Sequence, residues 1–173
     1  MISYILAAIV GVAVLVVDQY TKMLVAANFE LGQSTEFIKG VIDFTYIHNT
    51  GGAWGMLSGY TWLLVSVTFI IMLVCIALLM RYGVKNKLIF WALVLVLAGG
   101  VGNMIDRIFR GGEVIDFLHF AFFKSFPVFN IADIAIVIGA GLLMLYFVKG
   151  MLDDAKAKKL AVVKPDISND SDK

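Results

Sequence analysis

Charge is scarce in this 173-residue chain: 16% of its residues are charged, while 61% are hydrophobic. Soluble domains carry about a quarter charged residues, so the shortfall points to lipid as the main solvent. The net charge of +1 excludes the strongly basic surface that a nucleic-acid partner requires. Cysteine occurs once, as Cys75 inside an apolar run, which excludes a disulfide framework and a thiolate zinc cage. The two histidines, His48 and His119, stand in no metal-ligand spacing and suit hydrogen bonding in outer segments. No metal and no cofactor is implied. The N-terminus has neither a Lys/Arg-rich leader nor a clear small-residue cleavage site, so its first apolar run reads as a retained span.

What the chain has instead is apolar length. A bilayer core about 30 Å thick takes about 20 apolar residues as a helix. Four stretches qualify, at residues 3–20, 59–80, 88–105 and 126–148. Together they predict a mainly α membrane protein, a four-helix bundle. The link between the second and third spans carries Arg81, Lys85 and Lys87 with no acid, and the tail adds Lys149, Lys156, Lys158, Lys159 and Lys164. Basic residues mark the cytoplasmic side, which places both termini inside. Residues 1–150 read as one integral membrane domain and 151–173 as a basic cytoplasmic tail, disordered over 165–173. Nothing in the pattern calls for more than a monomer.

The outer segment at residues 21–58 is too long to be structureless. Within it Ile42, Phe44 and Tyr46 alternate with Asp43 and Thr45, a period of two that predicts a strand in a small sheet on the outer membrane surface. Aromatic residues near the span ends, Trp54, Tyr60, Trp62 and Trp91, suit interfacial belts.

Polar residues are expensive in a membrane, so where they gather carries information. Asp18, Asn49, Asn103, Asp106, Arg107, Asp116, Asn130 and Asp133 all fall at outer span ends or in outer loops. Asn103, Asp106 and Arg107 are spaced i, i+3 and i+4, and Asn130 and Asp133 are i, i+3, so each set shares a helix face. Pro127 suits the first turn of the fourth helix. Asp116 follows a glycine pair, in a turn and short extended or half-helical segment that can swing it toward Asp133. A plainer reading makes Asp18 and Lys22 an i, i+4 pair and Asp106 and Arg107 a local ion pair. Intramembrane acids also mark ion paths, so a small transporter or proton-conducting protein is the alternative function. Against it, the acids cluster at one interface and form no chain across the bilayer.

Five segments occur in order: Asp18-Gln19-Tyr20-Thr21-Lys22, Asn49-Thr50-Gly51-Gly52-Ala53-Trp54-Gly55, Gly99 through Arg107 (GGVGNMIDR), Glu113-Val114-Ile115-Asp116-Phe117, and Phe126 through Asp133 (FPVFNIAD). In this the chain closely resembles lipoprotein signal peptidase, or signal peptidase II, over roughly residues 18–150. The resemblance implies a membrane aspartic endopeptidase with Asp116 and Asp133 as its catalytic pair. Asp18, Asn49, Asn103, Asp106, Arg107 and Asn130 are carried over as motif residues that bind substrate or support the site. It further implies diacylglyceryl-modified prolipoproteins as substrates, cut just before the lipidated cysteine, and inhibition by globomycin. The implied fold is a four-helix bundle with a small extracytoplasmic β-cradle, in a plasma (inner) membrane. One departure is Gly52, where the family usually has alanine.

The chemistry suits that pair. Two facing carboxyls cannot both ionise cheaply, so they share a proton; the ionised one activates water and the protonated one polarises the scissile carbonyl. An outer-interface site also lies where a signal helix, its lipid and the mature chain meet. A slot between helices, with Gly99 and Gly100 allowing close approach, is expected to admit the acyl chains.

Overall fold

Backbone in hydrocarbon must satisfy its own hydrogen bonds, so apolar runs of this length fold as helices. The computed structural model describes residues 2–163. It contains four helices: α1 (Ile2–Asn28), α2 (Thr61–Tyr82), α3 (Lys87–Phe109) and α4 (Ile131–Val163). All four are long and apolar enough to cross a membrane. Asn86 starts α3 by accepting the Leu88 and Ile89 backbone N–H groups at 3.0 and 3.3 Å, which satisfies donors a helix start leaves free.

Three boundaries differ from the sequence expectation, the largest at the end of the fourth helix, which runs past residue 148 to Val163, so that residues 151–163 of the expected tail are helical. The fourth helix starts at Ile131, not at residue 126, because the preceding residues are held out of the helix. Phe129 and Leu118 pair as an isolated β-bridge, so Pro127 lies in this strap and not in the first helical turn. The first helix runs on past residue 20 to Asn28. Its 27 residues span about 40 Å against a core of about 30 Å, so its last turns rise to meet the sheet. The stretch expected to be disordered, 165–173, lies outside the described residues.

That sheet has three antiparallel strands in the order β1 (Ser34–Ile38), β2 (Ile42–Asn49) and β3 (Val114–Phe120). The alternating segment is its central strand. Tyr46, Ile115 and Phe117 form a buried cluster with Val25 of α1, and Phe29, Phe44 and Ile131 pack around it. The sheet is thereby seated on the C-terminal end of α1 and the N-terminal end of α4, at the opposite end of the bundle from the Arg81–Lys87 turn.

In the bundle, α3 is central and touches α1, α2 and α4. By contrast α2 buries only Cys75, which packs as a small hydrophobe against Ile89 and Leu93, and its other residues are half-buried or exposed. The α3–α4 contact is close because Gly99 has no side chain. A Cβ there would overlap the Ala132 carbonyl oxygen and come within 2.8 Å of Ile136 Cγ1. Gly100 is in ordinary contact range of Met72 and Thr68 on α2. Both glycines are buried in helix contacts and lie apart from the residues lining the cavity described below. The slot assigned to them as an acyl-chain entry is therefore filled by protein.

Candidate functional site

The start of α4 is where the chain's polar residues meet. Asn130 stands just before the helix, and its Oδ1 accepts the Asp133 backbone N–H at 2.9 Å. Asp133 Oδ2 in turn accepts the Asn130 backbone N–H at 3.0 Å. This reciprocal cap satisfies two free donors of the helix start and fixes the Asp133 rotamer. A third donor, the Ala132 N–H, is taken at 2.9 Å by Asp18 Oδ1 from α1. The carboxylates also suit the positive end of the helix dipole.

Asp116 comes to the same place from β3. Its Oδ1 accepts from Asn130 Nδ2 at 2.6 Å and its Oδ2 from Asn49 Nδ2 at 2.9 Å. Asp133 Oδ1 accepts from Asn103 Nδ2 at 2.7 Å. All four carboxyl oxygens thus have a fixed donor, three of them from asparagine side chains. Asn130 Nδ2 also lies within 3.3 Å of Asn103 Oδ1 and Ile115 O; its two hydrogens serve two of these three acceptors at once.

Asp116 is only 1% exposed. Its carboxyl is pushed up to about 7, chiefly by burial and then by the charge of Asp133, against the pull of Asn49, Asn130 and Lys22. Near neutral pH the proton on this pair is therefore easily gained and lost, and it belongs to the pair as a unit. Both aspartates line a cavity of about 510 Å³ whose wall is overwhelmingly apolar, with Trp54, Phe120, Phe126, Ile134 and Val137 among its residues. Asn49, Asn103 and Arg107 supply most of the remaining polar edge. Two carboxyls in a largely apolar cleft, one of them raised to about 7, are equipped to activate water and polarise a carbonyl.

Arg107 reaches away from Asp106, contrary to the local ion pair considered from sequence. It donates from Nη2 to Gly51 O at 2.8 Å, tying α3 to the loop after β2, and its buried Nε has no partner. That loop is shaped by Asn49, whose Oδ1 accepts the Gly51 N–H at 2.9 Å. A Cβ on Gly51 would come within 2.7 Å of Gly55 and Met56 backbone atoms. One on Gly52 would make only ordinary contacts, 3.7 Å from Met56 O, so the family's alanine and this chain's glycine fit equally.

The chain matches the family model described as signal peptidase (SPase) II over residues 10–149. This chain belongs to the signal peptidase II family. Signal peptidase II enzymes are aspartic peptidases, and this chain is one, a multi-pass membrane protein with its polar cleft at one end of the bundle. It is 41% identical to the lipoprotein signal peptidase of Anoxybacillus flavithermus, over 91% of this chain and 95% of that one. With the lipoprotein signal peptidase of Bacillus subtilis the identity is 39%, over 87% and 96%. Two solved structures described as a bacterial membrane enzyme obtained by the in meso method are also similar. One is 35% identical with a TM-score of 0.76, covering 83% of this chain and 92% of the other; the second is 33% identical at 0.74, covering 84% and 88%.

Every site residue expected from sequence is drawn into one connected network. Two members were not foreseen in that role. Gln19 donates toward Asp18, Gly102 O and Asp106 at 3.1, 3.2 and 3.1 Å. Lys22, considered only as a partner of Asp18, is fully buried and bridges Asp18 and Asp106 at 2.8 and 2.9 Å. A lysine four residues after an aspartate inside an apolar helix was the available signal, since a cation there needs more than one partner. The histidines hydrogen-bond on the sheet: His48 of β2 to Glu113 and Tyr46 at 2.6 and 2.7 Å, His119 of β3 to Lys124 O at 3.3 Å. Among the described residues no three His, Cys, Asp or Glu side chains gather as a metal site.

Proposed function

We propose that Asp116 and Asp133 are the catalytic dyad of this signal peptidase, cutting diacylglyceryl-modified prolipoproteins just before the lipidated cysteine. The observation that carries this is the shared cleft: two carboxyls from different elements, each held by asparagine donors, linked through Asn130 and opening on an apolar cavity. The relatives named as lipoprotein signal peptidases support the substrate class.

In the reaction, the ionised aspartate takes a proton from water as its oxygen attacks the scissile carbonyl. The protonated partner hydrogen-bonds to that carbonyl and stabilises the oxyanion as it forms. Proton return to the leaving amine completes the cleavage. Arg107, whose side chain lines the cleft, binds a main-chain carbonyl of the extended substrate. Asn49 lines the same cleft and offers a second polar contact. Asp18, Asp106, Asn103 and Asn130 hold the frame.

The sheet end of the bundle faces outward, since the Arg81, Lys85 and Lys87 turn and the basic end of α4 lie at the opposite end. Residues 1–150 act as the peptidase domain, with the basic tail cytoplasmic and the protein working as a monomer. The apolar wall around Phe126, Ile134 and Val137 is where the diacylglyceryl chains pack, entering from the outer leaflet. Globomycin, a cyclic peptide, competes for the same cleft. The test is cleavage of one prolipoprotein with and without its diacylglyceryl group, followed by mass. Faster cutting of the lipidated form, blocked by globomycin, is expected; equal rates on the two forms would refute the lipid-binding part.

A further inference from the structure

Lys22 is completely buried, and no step of the proposed reaction uses it. Its three N–H groups meet three acceptors: Asp18 Oδ2 at 2.8 Å, Asp106 Oδ2 at 2.9 Å and Asn103 Oδ1 at 3.1 Å. A buried ammonium is tolerated only when paired and saturated in this way. The third of these contacts has a consequence for the site. An ammonium donates and never accepts, so the end of the Asn103 amide that faces Lys22 must be the oxygen. The amide nitrogen then has to face Asp133, to which it donates at 2.7 Å. Asn130 Nδ2 also approaches Asn103 Oδ1, but it has Asp116 and Ile115 O as competing acceptors. With two of its N–H groups on Asp18 and Asp106, Lys22 has Asn103 Oδ1 as the acceptor for its third.

We infer that Lys22 is a positioning residue of the dyad: its ammonium locks the Asn103 amide so that N–H, and not carbonyl oxygen, is presented to Asp133. The inference rests on the dyad proposed above. Lys22 also gathers three helices around one charge, since Asp18 belongs to α1, Asp106 to α3, and Asp18 in turn caps α4 through the Ala132 N–H. Arg110 completes the charge balance at Asp106, 3.2 Å away. The charged groups facing Asp116 are Asp133 from α4, Lys22 from α1 and Arg107 from α3. Of these Lys22 pulls its carboxyl down.

Lys22→Met keeps the aliphatic stem and removes all three donors. The double variant Lys22→Met/Asp106→Asn removes one negative charge as well, which relieves the uncompensated buried acid. Both are compared with wild type and Asp133→Asn for thermal melting, kcat, KM and the pH profile on lipidated prolipoprotein. The expected result is folded protein in at least one of the two, with kcat down roughly a hundredfold, KM little changed, and the acidic limb moved to higher pH. A folded Lys22→Met with wild-type kcat and profile overturns the inference, as does a loss confined to KM. Restored kcat in the double variant overturns it too, because Lys22 would then only neutralise Asp106. Failure of both to fold makes Lys22 structural and likewise overturns it. If Asp133→Asn itself cleaves, the dyad has failed; if it is dead while Lys22→Met is normal, only the positioning role has.

Discussion

A methyl group on Gly99 would test how tightly the site depends on helix packing. In Gly99→Ala the new Cβ overlaps the carbonyl oxygen of Ala132 and meets Ile136 Cγ1 at 2.8 Å. The Ile136 end can rotate away, but the Ala132 carbonyl is backbone and cannot. An ordinary carbon–oxygen contact is about 3.3 Å, so α4 must retreat from α3 by about 1 Å. Asp133 is the next residue after Ala132 and moves with it, while Asp116 stays on the sheet. Overpacking of this kind costs about 1–3 kcal/mol of stability, and a misplacement of about 1 Å at reacting groups costs about a hundredfold in rate. The assay is kcat/KM on lipidated prolipoprotein, beside a melting curve. Gly100→Ala is the control, since its Cβ would sit 3.6 Å from Met72 Cγ, and it should leave both readouts near wild type. A folded Gly99→Ala enzyme with full activity would refute the claim that the α3–α4 contact sets the dyad geometry.

Further outcomes follow from other parts of the network. Asp18→Asn weakens both the Lys22 pair and the α4 cap, and breaking a buried pair costs about 3–5 kcal/mol; a large drop in melting temperature is expected. Gly51→Ala should cut activity well before stability, because its Cβ strikes backbone in the loop that Arg107 holds, whereas Gly52→Ala should be silent in both assays. Asp116, raised to about 7 from 3.8, keeps its proton in the folded state after the unfolded chain has lost it. Its contribution to stability is therefore full below about pH 4 and lost progressively up to about pH 7, a span of up to about 4 kcal/mol. The wild-type melting temperature should fall over that range more steeply than that of Asp116→Asn, and parallel slopes would contradict the raised carboxyl.

Much of this architecture was legible because lipid enforces it. Apolar length alone located four spans, and the clustering of Asp18, Asn49, Asn103, Asp106, Arg107, Asp116, Asn130 and Asp133 located the polar end. The period-two run at Ile42–Tyr46 revealed the central strand. What sequence could not supply was decided by distant partners. The strap over residues 126–130 stays out of the helix because Phe129 bridges to Leu118, which local propensity does not register. The segment holding Asp116 is strand because β2 pairs along it. Lys22 becomes a hub only once α3 brings Asp106 and Asn103 to it; within α1 it looks like a simple helical pair. Gly99 and Gly100 read as small residues able to line a slot, and only the crossing of α3 with α4 shows that one of them is filled by backbone.

The most direct test of the dyad is single-turnover cleavage of a lipidated prolipoprotein by wild type, Asp116→Asn and Asp133→Asn, each first verified as folded by thermal melting. Release of the signal peptide by wild type alone, with both folded variants inert, is the expected result. A folded variant of either aspartate that cleaves at near wild-type rate would contradict it.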